Sequence, residues 1–296
     1  MNKIKTGHKI LNITTPNNQE FKVNVKKHLN RNEYIQIDSY WIRNFNAPDV
    51  TPIDINNLFG EDEIKNILAN EMQNTKYVSQ IIANDLTNID SLIIVSDGFG
   101  FPDHSKIKDL KDNCGIMVLN HAMRFWESPV FPNFMLMNNS TEVALSCMPL
   151  NSMPQLIASR RTFSPFIKKY DNNIYLYDPT PDENYQSIAS KDSSVFLDEY
   201  RNPVCAAISF ANFLNIRNIY LCFCSSAYSE NRAGTIKIAE NAYQYPQQQL
   251  ADRFIDGNIF WYKFGNRYRQ IFYTGLENTF KFAKYLKIEE LLGLIS

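Results

Sequence analysis

The chain has 296 residues, 44% of them hydrophobic, and its 30 Lys and Arg against 31 Asp and Glu leave a formal charge of -1. That length buries one large core or two modest ones, and the balanced charge gives no basic field, so nucleic acid is not an expected partner. No apolar run reaches the roughly 18 residues of a spanning helix and no signal-peptide apolar core follows Met1-Asn2-Lys3-Ile4-Lys5, so a cytoplasmic protein without a transmembrane segment is expected.

Residues 1–88 are polar and Asn-rich and read as a small N-terminal α+β subdomain. Glu20 to Val25 alternates as a half-exposed strand does, Ile35 to Ile42 reads as a further strand, and Pro48 to Asp54 as a loop. From Gly60 to Leu86 the pattern is helical, with Glu61, Asp62 and Glu63 at the end where negative charge suits a helix N-terminus. This helix is expected to lead directly into the next strand.

Residues 89–296 carry a different texture. Ser91-Leu92-Ile93-Ile94-Val95 is a short apolar, β-branched run that ends in Ser96-Asp97-Gly98-Phe99-Gly100. Continuous apolarity predicts a strand covered on both faces, as in a parallel sheet between helix layers. Ligands of such sheets bind at the carboxyl ends of the strands, and glycines there let backbone N–H groups approach a phosphate or sugar. Asp97, Gly98 and Gly100 therefore mark the expected ligand mouth, against the alternative of a strand-to-loop turn without a ligand.

A short polar helix over Asp103–Leu110 and a strand over Gly115–Leu119 complete a βαβ unit. Its right-handed crossover sets Asp97 and Asn120 at the same edge of adjacent parallel strands. Asn120 reads equally as the cap of a helix over 122–126. Phe134 to Met137 is a third strand, tipped by Asn138; Leu156 to Thr162 is a fourth, tipped by Arg160 and Arg161. Two arginines there suit bidentate phosphate or carboxylate contacts, or form a solvated surface pair. Asn173 to Tyr177 is a fifth strand, and Asp178 to Asp192, with Pro179 and Pro181, a loop beside the cleft.

Asn202-Pro203 opens a helix rich in small residues, Ala206, Ala207 and Ala211, which let it lie close to a sheet. A buried strand over Ile216–Phe223 follows, with Ser225 at its tip. Tyr243 and Tyr245 flank a single residue and read either as stacking partners for a base or as packing anchors. Phe272 to Leu292 is expected to be an amphipathic helical finish. The five cysteines (Cys114, Cys147, Cys205, Cys222, Cys224) read as reduced, buried thiols, and Cys222-Phe223-Cys224 on a strand points both sulfurs to one face. The four histidines, His8, His28, His104 and His121, are scattered and form neither a zinc pattern nor a Ser-His-Asp pattern.

The glycine turn after Leu92–Val95, the Val118-Leu119-Asn120 strand tip, the helix and strand from Arg201 to Leu221 and the late Tyr243/Tyr245 segment occur in an order that resembles the 6-hydroxymethylpterin diphosphokinase-like family. That family shares a Rossmann-like core with the motility accessory factor glycosyltransferases and certain bacterial sialyltransferases. The likeness covers residues 90–270 and implies a Rossmann-like three-layer sandwich with a mainly parallel sheet. It further implies a nucleotide-dependent transferase, moving a diphosphoryl group from ATP to a hydroxymethyl-bearing small molecule or a glycosyl group from a nucleotide sugar to a small-molecule or glycan acceptor.

In the first case Asp97 would ligate Mg²⁺ while Arg160, Arg161 or Arg201 neutralises the phosphates. In the second, Asn120, Asn138, Ser225, Gly98 and Gly100 would hold the nucleotide, with Tyr243 or Tyr245 aiding departure of the phosphate. The glycosyltransferase relatives carry a Gly-x-Gly-Pro-Ser type turn where this chain has Ser96-Asp97-Gly98-Phe99-Gly100, and the sialyltransferases a late histidine base where this chain has none after His121. A non-catalytic module that keeps the fold is the alternative.

Overall fold

The computed structural model describes, by their backbone, residues 7–14, 20–27, 33–37 and 40–43, and beyond them residues 61–71, 73, 76–83, 89–150, 153–179, 195–197, 199, 202–225, 252, 255–259, 262 and 269–296. The first four segments are strands β1 (Gly7–Thr14), β2 (Glu20–Lys27), β3 (Glu33–Ile37) and β4 (Tyr40–Arg43), an antiparallel meander paired in that order. The register places Leu11, Ile13, Phe21, Val23, Val25 and Ile35 on one face, the alternation read from residues 20–25. The single strand expected over Ile35–Ile42 is instead two, β3 and β4, paired outward from Ile37↔Tyr40.

Among the described residues all later strands belong to one parallel sheet of nine. In chain order the elements are α1 (Glu61–Glu71), β5 (Lys76–Tyr77), β6 (Ser91–Val95), β7 (Cys114–Leu119), β8 (Phe134–Met137), β9 (Gln155–Ser159), α2 (Ser164–Lys169), β10 (Ile174–Tyr177), α3 (Pro203–Phe213), β11 (Asn218–Cys222), β12 (Gln270–Thr274), β13 (Lys284–Tyr285) and α4 (Ile288–Ile295). The spatial order is β13-β12-β11-β6-β7-β8-β9-β10-β5, and each neighbouring pair runs parallel. This is an α/β, Rossmann-like sandwich. Asp97 and Asn120 follow adjacent parallel strands and finish at one edge, as the βαβ unit requires.

Both sheet faces are covered, which is why the strands are continuously apolar. Leu92, Ile94, Met117, Leu119, Phe134 and Leu136 pack in one layer with α3, Val78 and Ile81. Ile93, Val95, Ile116, Val118, Met135 and Met137 pack in the other, with α2, α4 and the 3₁₀ turns Phe101–Lys106, Asn120–Phe125 and Glu142–Cys147. Alternate residues of each strand thus enter different cores, each fully buried side chain contributing about 1.5–3 kcal/mol. Helix α3 lies close to the sheet because Ala206, Ala207 and Ala211 are wholly buried, bringing Phe210 to 5.5 Å from Phe134, centroid to centroid. Its start is the expected cap: the Asn202 Oδ1 accepts the Val204 N–H at 2.9 Å, with Pro203 in the first turn.

Further expectations fail for identifiable reasons, and the short helix expected over Asp103–Leu110 is the 3₁₀ turn Phe101–Lys106. The helix expected over Gly60–Leu86 stops at Glu71, because Lys76-Tyr77 pairs with Tyr175 and Leu176 on the outer edge of β10 and Val78–Ala83 forms a 3₁₀ turn. β5, which precedes residue 88, therefore pairs in the same sheet as the strands that follow it. The finish expected as one helix from Phe272 holds β12 and β13 before α4; Gly275, at φ 114, ends β12 in a conformation that helices exclude. The two cysteines of Cys222-Phe223-Cys224 enter opposite cores, since Phe223 takes a left-handed φ of 58 and breaks the strand alternation. The cysteines are otherwise as expected, free and mostly buried, and burial raises the Cys114 and Cys147 thiols to about 11.

Candidate ligand edge

From β6 the chain steps through β7, β8, β9 and β10 in one direction, and β11 then returns to the other side of β6. The connections leaving β6 and β11 diverge, and the crevice outside such a pair is where open α/β sheets bind ligands. The tips along this edge are Ser225 beyond β11, Asp97 beyond β6, Asn120 and His121 beyond β7, and Asn138 beyond β8. The structure thus brings four of the expected residues, Asp97, Asn120, Asn138 and Ser225, onto neighbouring strand ends.

Asn120 is not a cap; Leu119 holds that position without a side-chain bond. It sits at a left-handed φ of 41, a conformation asparagine tolerates better than most residues. Its side chain reaches across to β8, where Nδ2 donates to the Asn138 Oδ1 at 3.0 Å and Oδ1 accepts the Asn138 backbone N–H at 3.1 Å. The pairing fixes both amides and directs the Asn138 Nδ2 away from Asn120. That nitrogen is buried without a hydrogen-bond partner among the described residues, and so is the Ser225 Oγ.

His121, next to Asn120, carries a role the sequence reading missed. Its Nδ1 lies 3.8 Å from the Asp97 Oδ2, both side chains being partly exposed. Burial, followed by the nearby Arg124 charge, lowers the His121 pKa from 6.5, so the imidazole is neutral at neutral pH. Strand-tip logic applied to the residue after Asn120 would have found it.

The glycines serve the neighbouring strands. The Gly98 N–H donates to the Phe223 carbonyl at 2.9 Å, and Gly100, at φ 85, puts the place of a missing Cβ 3.2 Å from the Phe223 ring. A Cβ on Gly275 would stand 2.9 Å from the Phe99 carbonyl oxygen. Close packing of the turn against the ends of β11 and β12 therefore accounts for Gly100 and Gly275.

Arg160 and Arg161 form neither a solvated pair nor an open anion site. Arg160 is fully buried, its Nε 2.8 Å from the Asp178 Oδ1 and its guanidinium 5.0 Å over the Tyr77 ring. Arg161 is 4% exposed; its Nε donates to the Glu199 Oε1 and its Nη1 to the Glu63 Oε1 at 2.9 Å. The Tyr177 hydroxyl donates to the other Glu199 oxygen at 2.6 Å, and the Ser140 hydroxyl to Glu63 at 3.1 Å. Burial opposes the Arg161 charge, but Glu199, and less strongly Glu63, raise its pKa above the ordinary value. Burial and then Glu199 push the Tyr177 phenol well up.

Helix α1 closes this part of the edge with an inward polar stripe at helical spacing: Glu63, Asn66 and Asn70. The Asn70 Nδ2 donates to the Arg160 and Thr162 carbonyls at 2.8 and 2.7 Å. Asn66 donates to the Ser140 carbonyl at 2.9 Å and accepts the Ser164 N–H at 3.1 Å. Glu63 read from sequence as a residue that suits a helix start, and Glu199 gave no signal at all.

Arg201, Tyr243 and Tyr245 lie outside the described residues. No protein-family model, curated protein or solved structure matches the chain. Among the described residues no group of three or more His, Cys, Asp or Glu stands together as a metal site. Asp97 offers a single carboxylate, and the neighbouring tips offer amides, a hydroxyl and an imidazole, a donor set poor for Mg²⁺, which prefers hard oxygens in octahedral array. No helix among the described residues is long and apolar enough to cross a membrane.

Proposed function

We propose that the chain is a nucleotide-dependent transferase that binds its nucleotide outside the tips of β11, β6, β7 and β8. One observation carries this reading: the Asn138 Nδ2 and the Ser225 Oγ are buried on either side of Asp97 without a hydrogen-bond partner among the described residues. A buried polar group left so costs roughly 1–3 kcal/mol, and a ligand with acceptor atoms at this edge removes that cost. The crevice between β6 and β11 is the place the fold favours for such a ligand.

Of the two transfer reactions, the geometry supports glycosyl transfer from a nucleotide sugar better. Diphosphoryl transfer needs cations on the migrating phosphates, whereas Arg160 and Arg161 are engaged by Asp178, Glu63 and Glu199. Asp97 and the neutral His121 stand at the same edge, a pairing suited to take the proton of an acceptor hydroxyl as it attacks the anomeric carbon and the nucleotide leaves with the bonding electrons. A binding module without catalysis is favoured by one feature, the Gly98 amide hydrogen-bonded to Phe223 instead of facing the crevice.

Calorimetric titration with CMP, UDP and ATP, with and without Mg²⁺, tests the proposal. A nucleotide should bind without metal, and Asn138→Ala should weaken it about tenfold, the equivalent of ~1.4 kcal/mol. Failure of all three nucleotides to bind sinks the reading. Binding without release of free sugar from a nucleotide sugar leaves the binding module.

A further inference from the structure

His104 is a buried histidine whose hydrogen bonds determine its protonation state. It is 3% exposed, stacked on Phe101 with ring centroids 4.3 Å apart and tilted against Trp126 at 5.2 Å. Its Nδ1 lies 2.7 Å from the Phe101 carbonyl oxygen, so this nitrogen must donate. The backbone N–H of Glu127 donates to Nε2 at 2.9 Å, so that nitrogen must carry a lone pair. Only the neutral ring protonated at Nδ1 meets both demands.

The ring thus ties two segments together. The 3₁₀ turn Phe101–Lys106 starts directly after Gly100, and Phe101 packs edge-on against Phe223, whose carbonyl holds the Gly98 amide. The Glu127 amide belongs to the chain leaving the turn Asn120–Phe125, the turn that carries Asn120 and His121. One imidazole therefore bridges the stretches following the β6 and β7 tips. A proton added at Nε2 would point at the Glu127 N–H, donor against donor, in a site closed to water.

We infer that His104 is a proton-operated latch that holds the β6 and β7 ends of the ligand edge together when neutral and lets them part when protonated. Among the charged groups nearby, Glu127 favours the imidazolium, and Asp103 and Lys106 on the same turn pair with each other at 2.8 Å. Desolvation outweighs the Glu127 charge and the carbonyl contacts, so the pKa lies below 6.5. The latch is closed above pH 6.5 and its stabilisation is lost as pH falls below that value, because the unfolded chain then binds the proton more readily than the native one.

The test compares urea unfolding of the wild-type chain, His104→Asn, His104→Gln and His121→Asn at pH 7.5 and 5.5. A carboxamide donates and accepts but does not titrate. The share of the pH-dependent loss in folding constant due to His104 has a ceiling of about tenfold at one unit below the unfolded pKa; whatever its size, it should be missing from the His104 variants and retained in His121→Asn. Equal losses in wild type and a folded His104 variant overturn the inference. In the unmodified chain the His104 Hε1 resonance should titrate below pH 6.5, together with a change in the Glu127 amide shift. A midpoint at or above 6.5, or a Glu127 amide that does not follow it, overturns the latch even if neither variant folds.

Discussion

The carboxyl edge of the nine-stranded sheet has two parts that hold their charged side chains in different ways. At the tips of β9 and β10, Arg160 and Arg161 meet Asp178, Glu63 and Glu199 in buried ion pairs, and α1 closes over them with Asn66 and Asn70. At the tips of β11, β6, β7 and β8 the side chains of Asp97 and His121 remain partly exposed, and the Asn138 Nδ2 and Ser225 Oγ lack partners among the described residues. The first part pairs its arginines with its own carboxylates, although the Ser159 Oγ at the end of β9 also lacks a partner among the described residues. The second leaves hydrogen-bonding capacity for something else. Arginines at a strand tip therefore do not by themselves mark the binding end of a sheet; what faces them decides.

The sharpest way to break this contrast is to remove the central cation. Arg161→Met leaves Glu63 and Glu199 buried without their guanidinium, and the loss should be about 3–5 kcal/mol by urea unfolding. Asp97→Ala should cost about 1 kcal/mol or less, since its carboxylate retains access to water. If Arg161→Met costs no more than Asp97→Ala, the two parts do not differ as described.

Next in size is the support of the open part from behind. Gly275→Ala adds a Cβ 2.9 Å from the Phe99 carbonyl at a φ of 114; neither the oxygen nor the backbone angle yields cheaply. A loss of roughly 1–3 kcal/mol follows, and with it a displaced Asp97–Gly100 turn, which on the proposed function reads as weaker nucleotide binding in the variant. A stable Gly275→Ala chain would show that the turn is not packed as tightly as these contacts require.

How much of this was legible in the sequence depended on whether the signal was local. Leu92 to Val95 announced a strand buried on both faces, and Asn202-Pro203 a capped helix, because burial and capping act over a few residues. Lys76-Tyr77 was absorbed into a helical pattern because its partner is the outer edge of β10, a hundred residues further on. The strand tips Asp97, Asn120, Asn138 and Ser225 were readable from the apolar-to-polar switch alone. The burial of Arg160 and Arg161 was not, for it depends on Glu63, Asp178 and Glu199, whose approach is set by tertiary packing. The pairing of His121 with Asp97 is not legible in the sequence, because the two residues follow different strands.

A buried carboxylate of a different kind extends the comparison. The Asp256 Oδ1 accepts the backbone amides of Lys281 at 2.9 Å and Phe282 at 3.3 Å, yet burial, reinforced by Asp252, raises its pKa to about 7. Since the native value lies above the unfolded one of 3.8, the native state holds the proton more firmly, and stability is lost as pH rises from about 4 through 7. Asp256→Asn keeps an acceptor for both amides and carries no charge. It should be more stable than the parent at pH 8, by up to about 4 kcal/mol, with the advantage vanishing toward pH 4 in urea unfolding. An Asn variant that is weaker at pH 8 would mean that the ionised carboxylate holds the Lys281–Phe282 segment better than an amide can.

The smallest stability change, and the one of opposite sign to most core substitutions, belongs to Ser225. Its hydroxyl is buried at the tip beyond β11 without a partner among the described residues, so Ser225→Ala removes a polar atom that the folded chain does not satisfy. Most substitutions of buried residues cost stability. This one should leave it unchanged or raise it by up to about 1 kcal/mol, because the desolvation cost of an unmade hydrogen bond disappears with the oxygen. If the hydroxyl is retained for a ligand, the same change weakens nucleotide binding in calorimetric titration while urea unfolding shows no loss. A variant that loses stability and affinity together would make Ser225 a structural residue, like the ion-paired Arg160 and Arg161. Affinity lost at constant or improved stability would keep it in the part of the edge that the fold leaves incomplete.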